Sequence, residues 1–287
     1  MSLYPAFARP RDLGQAAEIM GSLSTGAMII AGGQELMPSV NYGALMPEVY
    51  IDVGQIAALK GISEEAGAIQ IGSFTVHRDV QNNDLIQSKL PLLSYAAAQI
   101  GGGMQVHNRG TIGGNIVAMH PLYDILPSLL ALGAEVDVLS DVGEVRVALA
   151  DLMKDARHGL GSESLLVRVH LKPMMPGAGW SYEKLKITAG GYGSANAAAI
   201  VTLDSSKITS LRVVVGAVSA LPVDMSDTLS DCCGQAWSAH LAEEVEARSS
   251  AEIKEPLSDH QGDGEWRRAM AGVMARGAIE AAIKKAG

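Results

Sequence analysis

The sequence predicts an α+β protein with more than one domain, on three observations. Its 287 residues exceed the usual size of a single core. Apolar residues make up 48% and charged residues 18%, which excludes wholesale disorder and provides for a large buried core. Helix-periodic and strand-like runs are mixed through the first part of the chain, whereas the last part reads as strands followed by helices.

In chain order, Asp12 is placed to cap a helix whose apolar face is Leu13, Ala16, Ala17, Met20 and Leu23, ended by Ser24 to Gly26. Ala27 to Ala31 reads as a strand, the Gly32-Gly33 turn follows, closed by Leu36-Met37-Pro38, and Val49 to Val53 reads as a second strand. A glycine turn at the C-terminal end of a strand is where such units bind ligands, although the pattern is not the G-x-G-x-x-G fingerprint. Between Leu59 and Pro173 come strands at Ala68 to Ile71 and at Thr75-Val76. A helix near Leu92, Leu93, Ala96 and Ile100 is stopped by Gly101-Gly102-Gly103. Asp124 can cap a helix over Ile125 to Leu132 that Gly133 ends. Glu135 to Leu139 and Val145 to Leu149 flank the turn at Asp141 to Glu144 as a hairpin, and Leu165 to Leu171 is a further strand.

The run Met174 to Gly179 has linker composition and marks a boundary. Beyond it lie strands around Tyr182 to Ile187, Ala195 to Leu203 and Ile208 to Val218, the last two joined by Asp204-Ser205-Ser206-Lys207. The closing helix carries Trp266, Ala269, Met270, Val273, Met274, Gly277 and Ala281 at helical spacing, a stripe assigned to core packing. The expected domain limits are 1–56, 57–173 and 178–287.

Several classes of function are disfavoured. Acidic residues number 31 against 22 basic ones, a net charge of −9, and no basic stripe is present, which argues against nucleic acid as a partner. No apolar run reaches the roughly 18 residues of a membrane span. The N-terminus has no apolar core of signal-peptide length. The adjacent Cys232 and Cys233 cannot staple distant segments, which fits a reducing cytoplasm. They also cannot hold an iron-sulfur cluster alone, so any such cluster belongs to another chain. His77, His158, His170 and His240 show no metal-ligand spacing and read as surface or hydrogen-bonded residues.

The stretch that organises the chain is Arg109-Gly110-Thr111-Ile112-Gly113-Gly114-Asn115, expected to be a loop. Its glycines allow close approach of the backbone, and Thr111 and Asn115 add short polar groups. Ala31-Gly32-Gly33-Gln34-Glu35 has the same character. Together the two loops could hold a long phosphate-containing ligand through backbone amides, without lysine or arginine. Each feature also has a plainer explanation. Gly32-Gly33 alone is an ordinary tight turn, and Gly113-Gly114 could be a bulge or a packing contact. Asp124 could be only a helix cap, Arg109 a surface ion-pair member, Lys184 a solvated strand residue, and Tyr192 an aromatic covering a loop.

The motifs AGGQ-E-L-M-P and Q-V-H-N-R-G-T-I-G-G-N, followed by Pro121 and Asp124, resemble the FAD-binding (medium) subunits of molybdenum hydroxylases. That group includes carbon monoxide dehydrogenase medium subunits and xanthine dehydrogenase flavin domains. Ile71-Gly72-Ser73, Tyr182-Glu183-Lys184-Leu185-Lys186 and Val215-Gly216-Ala217-Val218 extend the resemblance along nearly the whole chain. It implies a PCMH-type FAD-binding lobe of two subdomains (1–56 and 57–173), then a C-terminal α+β domain of antiparallel sheet and helices. It implies FAD contacts from Ile30, Ala31, Gly32, Gly33, Gln34, Glu35 and Leu36, and from Thr111, Gly113, Gly114 and Asn115. Asp124 would accept hydrogen bonds from cofactor hydroxyls, Leu166 would pack near the isoalloxazine ring, and Lys184 and Tyr192 would approach it. The implied role is electron transfer, with a [2Fe-2S] small subunit and a large molybdopterin-binding subunit as partners.

Glu35 stands where relatives usually carry Ser or Thr, which places a carboxylate beside the expected diphosphate. His107 occupies a place often held by Arg. His120, Leu122 and Tyr123 replace a stretch that is commonly acidic or small. The competing expectations are a flavin-free or regulatory phosphate-binding scaffold and a stand-alone flavin oxidase, the latter disfavoured by the absence of an acid-base constellation.

Overall fold

The structure, a computed structural model, describes residues 5–22, 26–155, 160 and 163–287. Leu23, the helix stop at Ser24 and His158 lie outside the described residues. Among the described residues the chain is α+β, built on three sheets.

The first region contains β1 (Ala6–Ala8), α1 (Leu13–Ser22), β2 (Ala27–Ile30), α2 (Leu36–Asn41) and β3 (Val49–Asp52). Its three strands pair in parallel in the order β1-β3-β2. Asp12 caps α1 as expected, its carboxylate accepting from the Gln15 amide at 2.8 Å. The Gly32-Gly33 turn leads directly into α2, which had read only as a closing segment.

The middle region begins with β4 (Ile62–Glu65) and β5 (Ala68–Gly72). Six short helices follow: α3 (His77–Asn82), α4 (Asp84–Lys89), α5 (Pro91–Ala98), α6 (Gly103–Arg109), α7 (Ile112–Ala118) and α8 (Ile125–Ala131). Then come the hairpin β6 (Glu135–Ser140) and β7 (Gly143–Ala148), α9 (Leu149–Asp155) and β8 (Leu165–Leu171). These strands form a five-stranded antiparallel sheet, β4-β5-β8-β6-β7. The expected strand at Thr75-Val76 is only a bridge between Val76 and Thr111.

A larger correction concerns Arg109 to Asn115, which is not one loop. Gly110 and Thr111 alone separate α6 from α7. Thr111 starts α7, its hydroxyl accepting from the Gly114 amide and its carbonyl from the Asn115 amide, both at 3.0 Å. Glycine inside a helix costs about 1 kcal/mol relative to alanine, and packing explains its use at Gly113. A Cβ there would lie 2.6 Å from Ser73 Cβ and 2.7 Å from the Ser73 carbonyl oxygen.

The third sheet, β12-β11-β10-β9, is antiparallel, from β9 (Gly179–Leu185), β10 (Ala195–Asp204), β11 (Lys207–Gly216) and β12 (Val223–Asp224). Ser205 and Ser206 both take positive φ, +49° and +71°, as a twist-compatible two-residue hairpin turn requires. The inward alanines and valines of β10 and β11 share a core with α10 (Ala239–Glu252) and α11 (Gly264–Ile283). The buried stripe of α11 differs from the expected one: it is Arg267, Ala271, Gly272, Ala275, Ala278, Ile279 and Ala282. Small residues let this face approach closely, since a Cβ on Gly272 would fall 2.2 Å from the Glu246 carbonyl oxygen. Met270 and Met274 pack only at the margin of that core, and Val273 is exposed.

Compact units do not follow the chain contiguously. One comprises 1–80, 104–118 and 134–172, and the other 81–103, 119–133 and 173–287. Helices α4, α5 and α8 thus group with the C-terminal sheet.

Candidate functional site

In the first unit, Ile30 ends β2, Ala31 to Glu35 form the turn, and Leu36 opens α2 as a buried residue. Gly33 has φ +70°, a conformation suited to glycine. Gly32 is required for a different reason. A Cβ there would lie 2.0 Å from the Arg109 carbonyl oxygen and 3.1 Å from Gly110 Cα. The two glycine segments that the sequence singled out therefore touch.

Their amides are not equivalent. Those of Ile112 and Gly113 donate to the carbonyls of Thr75 (3.0 Å) and Ser73 (2.9 Å), and those of Gly114 and Asn115 to Thr111. Among the described residues, the amides of Gly32, Gly33, Gln34 and Leu36 donate to no protein acceptor. The first turn offers open donors to an anion, whereas the second segment is the platform beneath it. Asn115 adds an orphan: the residue is 8% exposed and its Oδ1 has no hydrogen-bond partner, a state that buried polar atoms rarely keep without a ligand or water. Open amides, glycines at a contact and an orphaned amide side chain fit the diphosphate and sugar portions of FAD.

Glu35 is exposed in this turn. His77 packs beneath the second segment, its ring 2.9 Å from the position a Gly110 Cβ would take. Burial, assisted by the charge of His107, lowers its pKa to about 4, so it is neutral at physiological pH. Leu166 is 2% exposed on β8, covered by protein. His170, expected at the surface or satisfied, is buried and bonded to Asp137 (Nε2 to Oδ2, 2.6 Å), which Arg146 also holds. A separate polar cleft of about 390 Å³, lined by Lys60, Ser63, Glu65, Gln70 and Arg168 among others, contains none of the expected FAD contacts.

The second unit brings together Asp124, Lys184 and the Tyr192 loop. The Tyr182 hydroxyl donates to Asp124 Oδ1 at 2.8 Å, and Lys184 Nζ donates to Asp124 Oδ2 and to the Gln99 carbonyl, both at 2.9 Å. Lys184 and Asp124 are each 3% exposed at the side chain. The solvated-lysine alternative therefore fails. So does the helix-cap alternative for Asp124, which makes no side-chain bond to the start of α8. Burial raises the Asp124 pKa, against the opposing pull of Lys184 and Tyr182. Burial and Asp124 together push the Tyr182 phenol well above its usual range, so it remains a donor.

Gly193, next to Tyr192, lies against the Lys184 stem, its would-be Cβ 3.5 Å from Cε. Asn196, fully buried and opposite Lys184 in the β9–β10 register, leaves both amide atoms without partners. Sequence reasoning missed Tyr182 as a site residue. The strand period of two places it on the same face as Lys184, and that was the available signal. It also missed Ser73, Gln99 and Asn196, which carry none.

Comparison with known proteins identifies the family. The family described as "FAD binding domain in molybdopterin dehydrogenase" matches residues 4–173, and "CO dehydrogenase flavoprotein C-terminal domain" matches 180–282. The carbon monoxide dehydrogenase medium chain of Hydrogenophaga pseudoflava is 32% identical over 275 residues, 95% of each chain. The glyceraldehyde dehydrogenase medium chain of Sulfolobus acidocaldarius is 28% identical over 95% of this chain and 97% of that one. A solved structure of carbon monoxide dehydrogenase from Hydrogenophaga pseudoflava superposes over 100% of both chains with a TM-score of 0.92 and 28% identity. With both domain families matched in order over a chain of the relatives' own length, this protein belongs to the FAD-binding medium-subunit family of molybdenum-containing oxidoreductases.

Proposed function

We propose that this chain is the FAD-holding electron-transfer subunit of a molybdenum-dependent hydroxylase or dehydrogenase in the cytoplasm. It would receive electrons from [2Fe-2S] centres on a small partner chain and deliver them to an external acceptor, while a large molybdopterin-binding partner oxidises the substrate. Bound FAD supplies the ability to take up and release electrons singly or in pairs.

The observation that carries the reading is the row of open amides at Gly32, Gly33, Gln34 and Leu36 beside the Arg109 backbone. These residues bind and neutralise a diphosphate through preoriented dipoles, which suits a protein of net charge −9. Thr111, Gly113 and Gly114 support that turn, and Asn115 turns its unpaired Oδ1 to a cofactor hydroxyl. In the second unit, Lys184, locked by Asp124 and the Gln99 carbonyl, holds a fixed positive charge.

The test is purification of the native assembly with flavin and metal analysis. The expected result is a yellow protein that releases FAD, not FMN, on denaturation and accompanies chains containing molybdenum and iron. A colourless chain that cannot be reconstituted with FAD supports the scaffold reading. A stable native assembly without molybdenum or iron overturns the partner assignment. Substrate turnover by the flavin-loaded chain alone supports the oxidase reading.

A further inference from the structure

The polar cleft of about 390 Å³ lies wholly within the first unit. Its floor is one face of the five-stranded sheet. Strand register places Ser63, Gln70 and His170 in one row of that face, and Gly72, Arg168, Asp137 and Arg146 in the next, since residues paired across a ladder share a side.

Gly72 leaves room for the wall. A Cβ there would lie 2.5 Å from the Leu59 carbonyl oxygen and 2.7 Å from the Lys60 amide nitrogen, so the segment 59–61 crosses the sheet at the position paired with Arg168. Backbone bonds hold that crossing in place. The Phe74 amide donates to the Leu59 carbonyl at 2.7 Å, and the Gly61 carbonyl accepts from the Gly72 amide at 2.9 Å and the Thr75 hydroxyl at 3.1 Å. Gly61 takes φ +92°, a conformation suited to glycine. Wall and floor are therefore fixed by folding, at no further cost to a ligand.

The charges of the lining are unequal. Cross-strand neighbours of opposite charge ordinarily pair, and Arg168 stands opposite Asp137 in the register. Both Asp137 oxygens are taken by others, Oδ1 by Arg146 Nε at 2.7 Å, and Oδ2 by His170 Nε2 at 2.6 Å and by the Arg146 guanidinium at 3.2 Å. Half-buried Arg168 makes no hydrogen bond or ion pair among the described residues, and its five donors stay available. Lys60 also lines the cleft, its ammonium 5.3 Å from the Phe74 ring centroid. Against these two cations stands one carboxylate among the described lining residues, Glu65, which accepts from Gln70 Nε2 at 3.2 Å. The cleft is thus locally positive in a chain of net charge −9.

We infer that this cleft binds a small molecule through a phosphate or carboxylate group, with the Arg168 guanidinium as its two-pronged donor and Lys60 as a second positive charge. Ser63 and Gln70 add neutral donors to the lining. The volume falls within the range of small-molecule sites, about 300–1,000 Å³. None of the lining residues is an expected FAD contact, so the inference stands apart from the flavin reading.

The test titrates the full-length chain with inorganic phosphate and with succinate at constant ionic strength, by isothermal titration calorimetry, with and without saturating FAD. The expected result is saturable binding of at least one of the two anions, with a Kd that FAD leaves unchanged. Arg168→Gln should weaken binding about ten-fold, Arg168→Lys by less, and Lys60→Ala about three-fold. Glu65→Gln should tighten it about two- to three-fold by removing the competing carboxylate, a gain that misfolding cannot imitate. Circular dichroism checks the fold of each variant. Preference for phosphate or for succinate identifies which group the cleft takes. A lack of saturable binding of either anion, displacement of the anion by FAD, or affinities unaltered in folded Arg168→Gln and Glu65→Gln overturns the inference. A chain that fails to bind FAD yet keeps Arg168-dependent anion binding overturns the flavin reading alone.

Discussion

Lys184 and Asp124 form an ion pair at 2.9 Å, with each side chain only 3% exposed. The pair joins β9 to the start of α8, and its remaining bonds to Tyr182 and the Gln99 carbonyl satisfy what burial would otherwise leave bare. Such a pair contributes little net stability when intact, but removal of one member strands the other charge.

Lys184→Met is therefore expected to destabilise the protein by about 3–5 kcal/mol near neutral pH, read from urea unfolding. The sign of its pH dependence follows from Asp124. Its pKa is already raised by burial and rises further without the lysine. The folded state then favours the protonated acid, so the stability lost by the variant returns as pH falls. A deficit independent of pH would show that the carboxylate is not the source.

Gly32→Ala places a methyl group 2.0 Å from the Arg109 carbonyl oxygen, which forces the first turn away from its platform. FAD affinity should fall by more than about ten-fold, with destabilisation of about 1–3 kcal/mol from overpacking. Gly277→Ala is the control. That glycine lies in α11 with open space around it, and alanine there should stabilise by about 0.5–1 kcal/mol and leave FAD binding unchanged. Isothermal titration and thermal unfolding distinguish the two.

His77 gives a pH signature of its own. Its folded pKa is about 4 against an ordinary 6.5. A depressed value means that its contribution is fully present above pH 6.5 and is lost as pH falls toward 4. The loss approaches about 3 kcal/mol. In His77→Leu, the part of the acid destabilisation that wild type shows between pH 6.5 and 4 from this residue should disappear. Parallel slopes in the two proteins over that interval would refute the assignment.

Glu35 is exposed in the turn of open amides, where a diphosphate brings like charge. Glu35→Ser should raise FAD affinity about five-fold at low salt, the effect of about 1 kcal/mol of repulsion relieved, and the gain should shrink as ionic strength rises. Equal affinities at low salt would place the carboxylate away from the ligand.

The α+β class, most of the longer strands, the Asp12 cap, the β6–β7 hairpin and the β10–β11 turn were legible in the sequence, because each rests on local periodicity or local turn chemistry, whereas β1, β4 and β12 were not. The two glycine segments were legible as well, since glycine runs flanked by short polar residues report a backbone constraint directly. Tertiary structure decided what those segments are. Arg109 to Asn115 became the end of α6 and the start of α7 because Thr111 caps α7 locally and because Ser73, far away in sequence, accepts from the Gly113 amide. The buried face of α11 was likewise decided by its partner: close packing favours Ala and Gly over the larger Met and Trp that hydrophobicity alone selects. Asp124 looked like a cap by position and is instead bonded to Tyr182 and Lys184. Local pattern determines elements, because its physics acts over a few residues; which amides remain open and which charges are paired depends on neighbours that only the folded chain supplies.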